Sequence, residues 1–172
     1  MADIIELGIL ETLKRQGMDL EAIIKQTQAG SVLIMAQQLD NLLQHVLTEA
    51  MQPFDKKDWQ SLFSGTGALS VFSSKIRIAY GFGFLSKEGY DDAHLVRRIR
   101  NRFAHAEEHI SFESDEIRGL VRNLSTAAND VKLKDAFVRV IDKLSRHLVH
   151  ALHDKIKDRE DVDRYNPARK GK

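Results

Sequence analysis

Apolar residues recur every three to four positions along most of this chain, the spacing that gathers them on one face of an α-helix. Ile4, Ile5, Leu7, Leu10 and Leu13 form the first stripe and Gly17 ends it, which predicts a short helix from about Asp3 to Gln16. Asp19 then reads as the cap of a long second helix. Its face runs through Leu20, Ile23, Ile24, Val32, Leu33, Ala36, Leu39, Leu43, Val46 and Leu47 to Met51, with Gly30 as a break or a close helix contact. After Pro53 and Asp55, Asp58–Phe63 predicts one short turn of helix, and Ser64-Gly65-Thr66-Gly67 a loop.

Leu69, Phe72, Ile76, Ala79 and Tyr80 make a third stripe that ends near Gly81 or Gly83. Ser86-Lys87-Glu88 begins another helix, whose core contacts are Tyr90, Ala93, Leu95, Val96, Ile99 and Phe103. His109 to Phe112 is expected to be loop. Ser114 or Asp115 caps a short helix holding Ile117, Leu120, Val121 and Leu124, and a final long helix starts near Val131 with a stripe from Leu133 to Ile156. The apolar repeat fails at Asp158. The pattern therefore predicts an all-α single helical-bundle domain over residues 1–157, with about five to seven helices and long antiparallel ones at its centre. Residues 158–172 read as a charged, flexible tail. Strand alternation and internal repeats are not visible. The aromatic groups Trp59/Phe63 and Phe72/Tyr80/Phe82/Phe84 fit the core.

Composition narrows the functional classes. With 42% hydrophobic residues the chain has material for a core, and with only 2 Pro it has few helix breakers. The absence of Cys excludes disulfides, thiolate metal sites and a Cys nucleophile, and fits a reducing compartment. A net charge of +1 means that any nucleic-acid surface is a local basic patch rather than a property of the whole chain. The acidic start Met-Ala-Asp-Ile-Ile-Glu lacks the basic opening of a signal peptide, and no apolar run reaches membrane-spanning length. The expectation is a cytoplasmic protein without membrane contact and without a cofactor. His147, His150 and His153 lie three apart, but no carboxylate–His pattern accompanies them, so no metal is expected. Ser64–Gly67 lacks the Gly-Lys-Ser/Thr ending of a phosphate-binding P-loop.

The densest chemistry lies in Arg100-Asn101-Arg102-Phe103-Ala104-His105. An Arg binds phosphate through a planar fork of donors, and a His exchanges protons near neutral pH. The pair suits either binding or cleavage of a phosphodiester; the alternative is a helix end whose basic residues answer the negative end of the dipole. For cleavage, His105 is the general acid or base, Arg100 stabilises transition-state charge, and Asn101 orients a phosphate or the imidazole. Five positions correspond to about 140° around an ideal helix, so Arg100 and His105 do not share a face. Convergence requires a helix break near Phe103-Ala104 or a second copy of the chain across a two-fold axis. For binding, Arg97, Arg98, Arg100 and Arg102, with Lys75 and Arg77, are the candidate cationic surface.

The stretch Gly67–Leu85, with Ser73-Ser74-Lys75-Ile76-Arg77 and Gly81-Phe82-Gly83-Phe84-Leu85, followed by Leu95-Val96-Arg97-Arg98-Ile99-Arg100-Asn101-Arg102-Phe103-Ala104-His105, resembles the mannitol operon repressor (MltR) family. The resemblance covers roughly residues 30–125. It implies an all-α transcription regulator that acts through protein contacts and, in one version, DNA. The second block also resembles the HEPN superfamily, small helical domains that are often dimeric and include metal-independent RNases and toxin components. Their active motif is Arg, a polar residue, three to five others, then His, and Arg100, Asn101 and His105 match it. That likeness implies a homodimer and possible contact with RNA.

Overall fold

A computed structural model describes residues 20–106 and 110–165; the side chains are described for residues 27–106 and 110–157. The expected helix from Asp3 to Gln16 lies outside the described residues. Among those described there are six helices and no strand: α1 (Leu20–Ala50), α2 (Lys56–Phe63), α3 (Phe72–Gly81), α4 (Lys87–Ala104), α5 (Asp115–Val121) and α6 (Leu133–Tyr165). The fold is all-α, as the periodicity requires.

The core forms where stripes of different helices meet. α1 contributes Val32, Ala36, Leu39, Leu43, Val46 and Leu47, and packs against α3, α4 and α6. α4 contributes Ala93, Val96, Ile99 and Phe103, and α6 contributes Ala136, Phe137, Val140, Ile141, Leu144 and Leu148. Phe112 lies between them: its ring centroid is 5.5 Å from that of Phe103 and 5.8 Å from that of Phe137, and its N–H donates to Gln28 Oε1 at 3.3 Å. One buried ring thus ties the end of α4 to the early turns of α1 and α6.

Local chemistry sets the boundaries. Asp55 caps α2, its Oδ1 accepting the Asp58 N–H at 2.8 Å, and Ser86 caps α4, its Oγ accepting the Gly89 N–H at 3.0 Å; each satisfies an orphan donor of a first turn. Just past the Phe82 C-cap of α3, Gly83 takes a φ of 78°, open to glycine at little cost. The Phe84 N–H returns to the Ala79 carbonyl and the Gly83 N–H to that of Tyr80, the paired bonds of a Schellman cap. Before α3, Gly67 passes against the end of α2, and a Cβ there would lie 2.4 Å from the carbonyl oxygens of Ser61 and Leu62.

The helical backbone of α6 runs on past Asp158 to Tyr165. Three expectations are corrected. Gly30 does not break α1, and among the described residues it makes no close contact: the helix runs through it, and a Cβ there would meet none of them within 4 Å. Tyr80 and Phe82 are not core; they are 42% and 51% exposed at the end of α3, whereas Phe84 is buried. Lys75 is not a surface cation but one of the most buried polar residues, at 3% exposure.

Candidate functional site

The C-terminal half of α4 lies between two clefts, and the helix deals its polar residues to each in turn. Arg97, Arg100 and Asn101, at i, i+3 and i+4, line a cleft of about 650 Å³ shared with α1 and with the start of α3. Arg98, Asn101, Arg102 and His105 line a second cleft of about 370 Å³, closed by Ala106, Ile110 and Glu116. Asn101 borders both. The four candidate arginines therefore form two pairs: Arg97 and Arg100 are half-buried in the first cleft, and Arg98 and Arg102 are exposed at the second.

This arrangement separates the residues proposed for catalysis. Arg100 donates from Nη1 to Asn101 Oδ1 at 3.1 Å and lines the first cleft; His105 lines the second. α4 is unbroken through Phe103 and Ala104, and His105 is its C-cap, its N–H bonded to the Asn101 carbonyl at 3.1 Å. The helix stays regular because Ile99 and Phe103 anchor its inner face in the core. Within one chain, Arg100 and His105 thus line different clefts, as the angular separation on an ideal helix requires.

The floor of the first cleft is a buried ion pair. Lys75 Nζ on α3 lies 2.8 Å from Asp40 Oδ1 on α1 and donates to Gln44 Oε1 at 3.2 Å, its side chain 4% exposed. Charges this deep persist only when paired. Beside them, Gln37 donates to Asn41 Oδ1 at 3.0 Å. The hydrophobic pattern gave no hint of this cleft wall. The signal available was Asp40 and Gln44 at i, i+4 on α1, polar positions set beside the apolar stripe.

Arginine charge is distributed unevenly. Arg102 pairs with Glu116 at 2.7 Å. Among the described residues Arg97, Arg98 and Arg100 have no acidic partner, and Arg97 Nε is buried without an acceptor. On the adjoining face His94 packs edge-on to Tyr90 at 4.5 Å, with Nε2 buried and unbonded. Burial first, then the positive charges of Arg97 and Arg77, hold the His94 imidazole below its ordinary pKa of 6.5. Among the described residues no group of three or more His, Asp or Glu is placed to hold a metal, and no helix is long and apolar enough to cross a membrane.

Comparison with known proteins gives this geometry a family. Two curated relatives, the mannitol operon repressors of Escherichia coli K12 and of E. coli O6:H1 strain CFT073, are each 30% identical over 122 residues. That match takes in 59% of this chain and 62% of the relatives' length. A solved structure, the X-ray structure of the MtlR–HPr complex from E. coli, aligns with a TM-score of 0.47 at 22% identity, covering 75% of this chain and 85% of that one. The family model described as mannitol repressor matches residues 6–157, a span that takes in α1 to α5, both clefts and most of α6; the chain belongs to the mannitol repressor family.

Proposed function

We infer that this chain is a cytoplasmic regulatory module of the mannitol repressor type, which works by contact with a macromolecular partner and not by chemistry on a bound substrate. The observation that carries this reading is the family match over residues 6–157. The exposed pair Arg98 and Arg102, beside His105 at the second cleft, offers cationic side chains to an acidic protein surface or to nucleic acid. The separation of Arg100 from His105 speaks against a self-contained nuclease site. A homodimer whose two-fold axis passes near the end of α4 belongs to the same proposal, since it sets two copies of this cationic end side by side.

The test is a calorimetric titration in two arms, one with HPr as the protein probe and one with double-stranded DNA. Binding in at least one arm is expected, weakening as salt screens the exposed charges. The double variant Arg98→Gln/Arg102→Gln should weaken it by about 10- to 100-fold, the value of lost hydrogen bonds to charged groups. Stability should change by no more than about 1 kcal/mol, because Arg102 and Glu116 form an exposed pair. Absence of binding in both arms, or binding indifferent to the double variant, contradicts the reading.

A further inference from the structure

The first cleft has a composition that partner contact through Arg98 and Arg102 leaves unused. Its charge is asymmetric. Among the described residues that line it, Asp40 is the only carboxylate, and it is engaged by Lys75. Arg97 and Arg100, one helical turn apart, bring two further guanidinium groups to the same wall with no acidic partner among the described residues. Two uncompensated like charges beside a buried ion pair make a standing demand for an anion. α3 begins at this cleft without a side-chain cap, so the positive end of its dipole adds to the same potential.

The rest of the lining has a different character. Gln37, Asn41 and Gln44 on α1 carry side-chain amides, and Ser70 and Ser73 carry hydroxyls; Gln37 donates to Asn41, Gln44 accepts from Lys75 and Ser70 donates to the Gly67 carbonyl, each keeping further hydrogen-bonding capacity. Amides both donate and accept hydrogen bonds, as sugar and polyol hydroxyls do. The cleft of about 650 Å³ falls within the usual range for small-molecule sites. A lining that combines two guanidinium groups with side-chain amides and hydroxyls matches a ligand with a phosphate at one end and several hydroxyls along its length.

We propose that the cleft between α1, the start of α3 and α4 binds a small phosphorylated polyhydroxy compound, a polyol or sugar phosphomonoester. Arg97 and Arg100 hold the phosphate, Asn101 steadies the Arg100 guanidinium, and the α1 amides read the hydroxyls. The site is independent of which macromolecule the chain contacts, because it can be filled on the isolated protein.

Isothermal titration of the purified full chain tests it with three probes: mannitol 1-phosphate, mannitol and inorganic phosphate. Mannitol 1-phosphate should bind at least about tenfold more tightly than either part alone, because only the whole molecule engages both the guanidinium groups and the amides. Arg97→Gln/Arg100→Gln should weaken it by about 10- to 100-fold, while Arg139→Gln, an exposed arginine on α6, should leave it unchanged. Gln37→Leu should lower affinity for mannitol 1-phosphate and leave that for inorganic phosphate as it was. Circular dichroism confirms that each variant is folded. No binding of mannitol 1-phosphate at millimolar concentration overturns the proposal; so does binding no tighter than that of inorganic phosphate, or binding that survives the double arginine substitution.

Discussion

Lys75 shows how far a single residue can depart from the meaning of its sequence context. It stands one position before an apolar stripe residue and two before Arg77, and reads as part of a basic run. In the fold its ammonium is buried against Asp40 and Gln44. Asp40→Asn leaves that ammonium without its counter-charge and should cost about 3–5 kcal/mol in urea denaturation, the usual loss when one member of a buried pair is removed. Asp40→Leu/Lys75→Met should be less damaging than either single change, since it removes both charges together; a double variant as unstable as the sum of the singles would refute the pairing. His94 carries a second expectation at this scale. Its imidazole takes up a proton more readily in the unfolded chain than in the fold, where burial and Arg97 oppose the charge. Its contribution to stability is therefore fully present above the unfolded pKa of about 6.5 and is lost as pH falls from there toward the lower folded value. Thermal melts between about pH 7 and pH 5 should show wild type losing stability faster than His94→Gln. Parallel slopes would remove His94 as a source of acid sensitivity.

The helices were legible because each buries a narrow stripe against the same core. Val96, Ile99 and Phe103 on α4, and Phe137, Val140, Leu144 and Leu148 on α6, keep helical spacing without interruption. Periodicity loses its force at helix ends, where a side chain on the inner stripe can pass the edge of the core. That is why Tyr80 and Phe82 are exposed despite apolar neighbours. Glycines were the harder reading. Gly30 meets no neighbour among the described residues, whereas Gly67 supports a close backbone approach that no local pattern marks, because its neighbours Ser61 and Leu62 belong to another element. Gly67→Ala should force α2 and the lead-in to α3 apart and destabilise the protein by about 1–3 kcal/mol in chemical denaturation. Gly30→Ala should stabilise α1 by about 0.5–1 kcal/mol, as alanine is the better helix former. Equal effects at the two positions would refute this contrast.

For the molecule as a whole, the identity of the charged residues could be read from the sequence, but their grouping could not. Arg97, Arg98, Arg100 and Arg102 stand close together in the chain; the turn of α4, and the packing of α1, α3 and α5 around it, divide them between two clefts. Helix geometry alone sets Arg100 and His105 about 140° apart, yet Asp40, Gln44 and Lys75 meet only through tertiary contacts that one sequence does not reveal. The proposed dimer belongs to this scale: light scattering at micromolar concentration should give twice the 19.6 kDa chain mass, and a monomer would remove the side-by-side arrangement of α4 ends. Contact and chemistry make opposite demands on the same residues, so turnover separates them. The decisive measurement is incubation of the purified wild-type chain with labelled single-stranded RNA in excess chelator, beside His105→Ala. A module that works by contact leaves the RNA intact in both; cleavage by wild type that His105→Ala abolishes would contradict it.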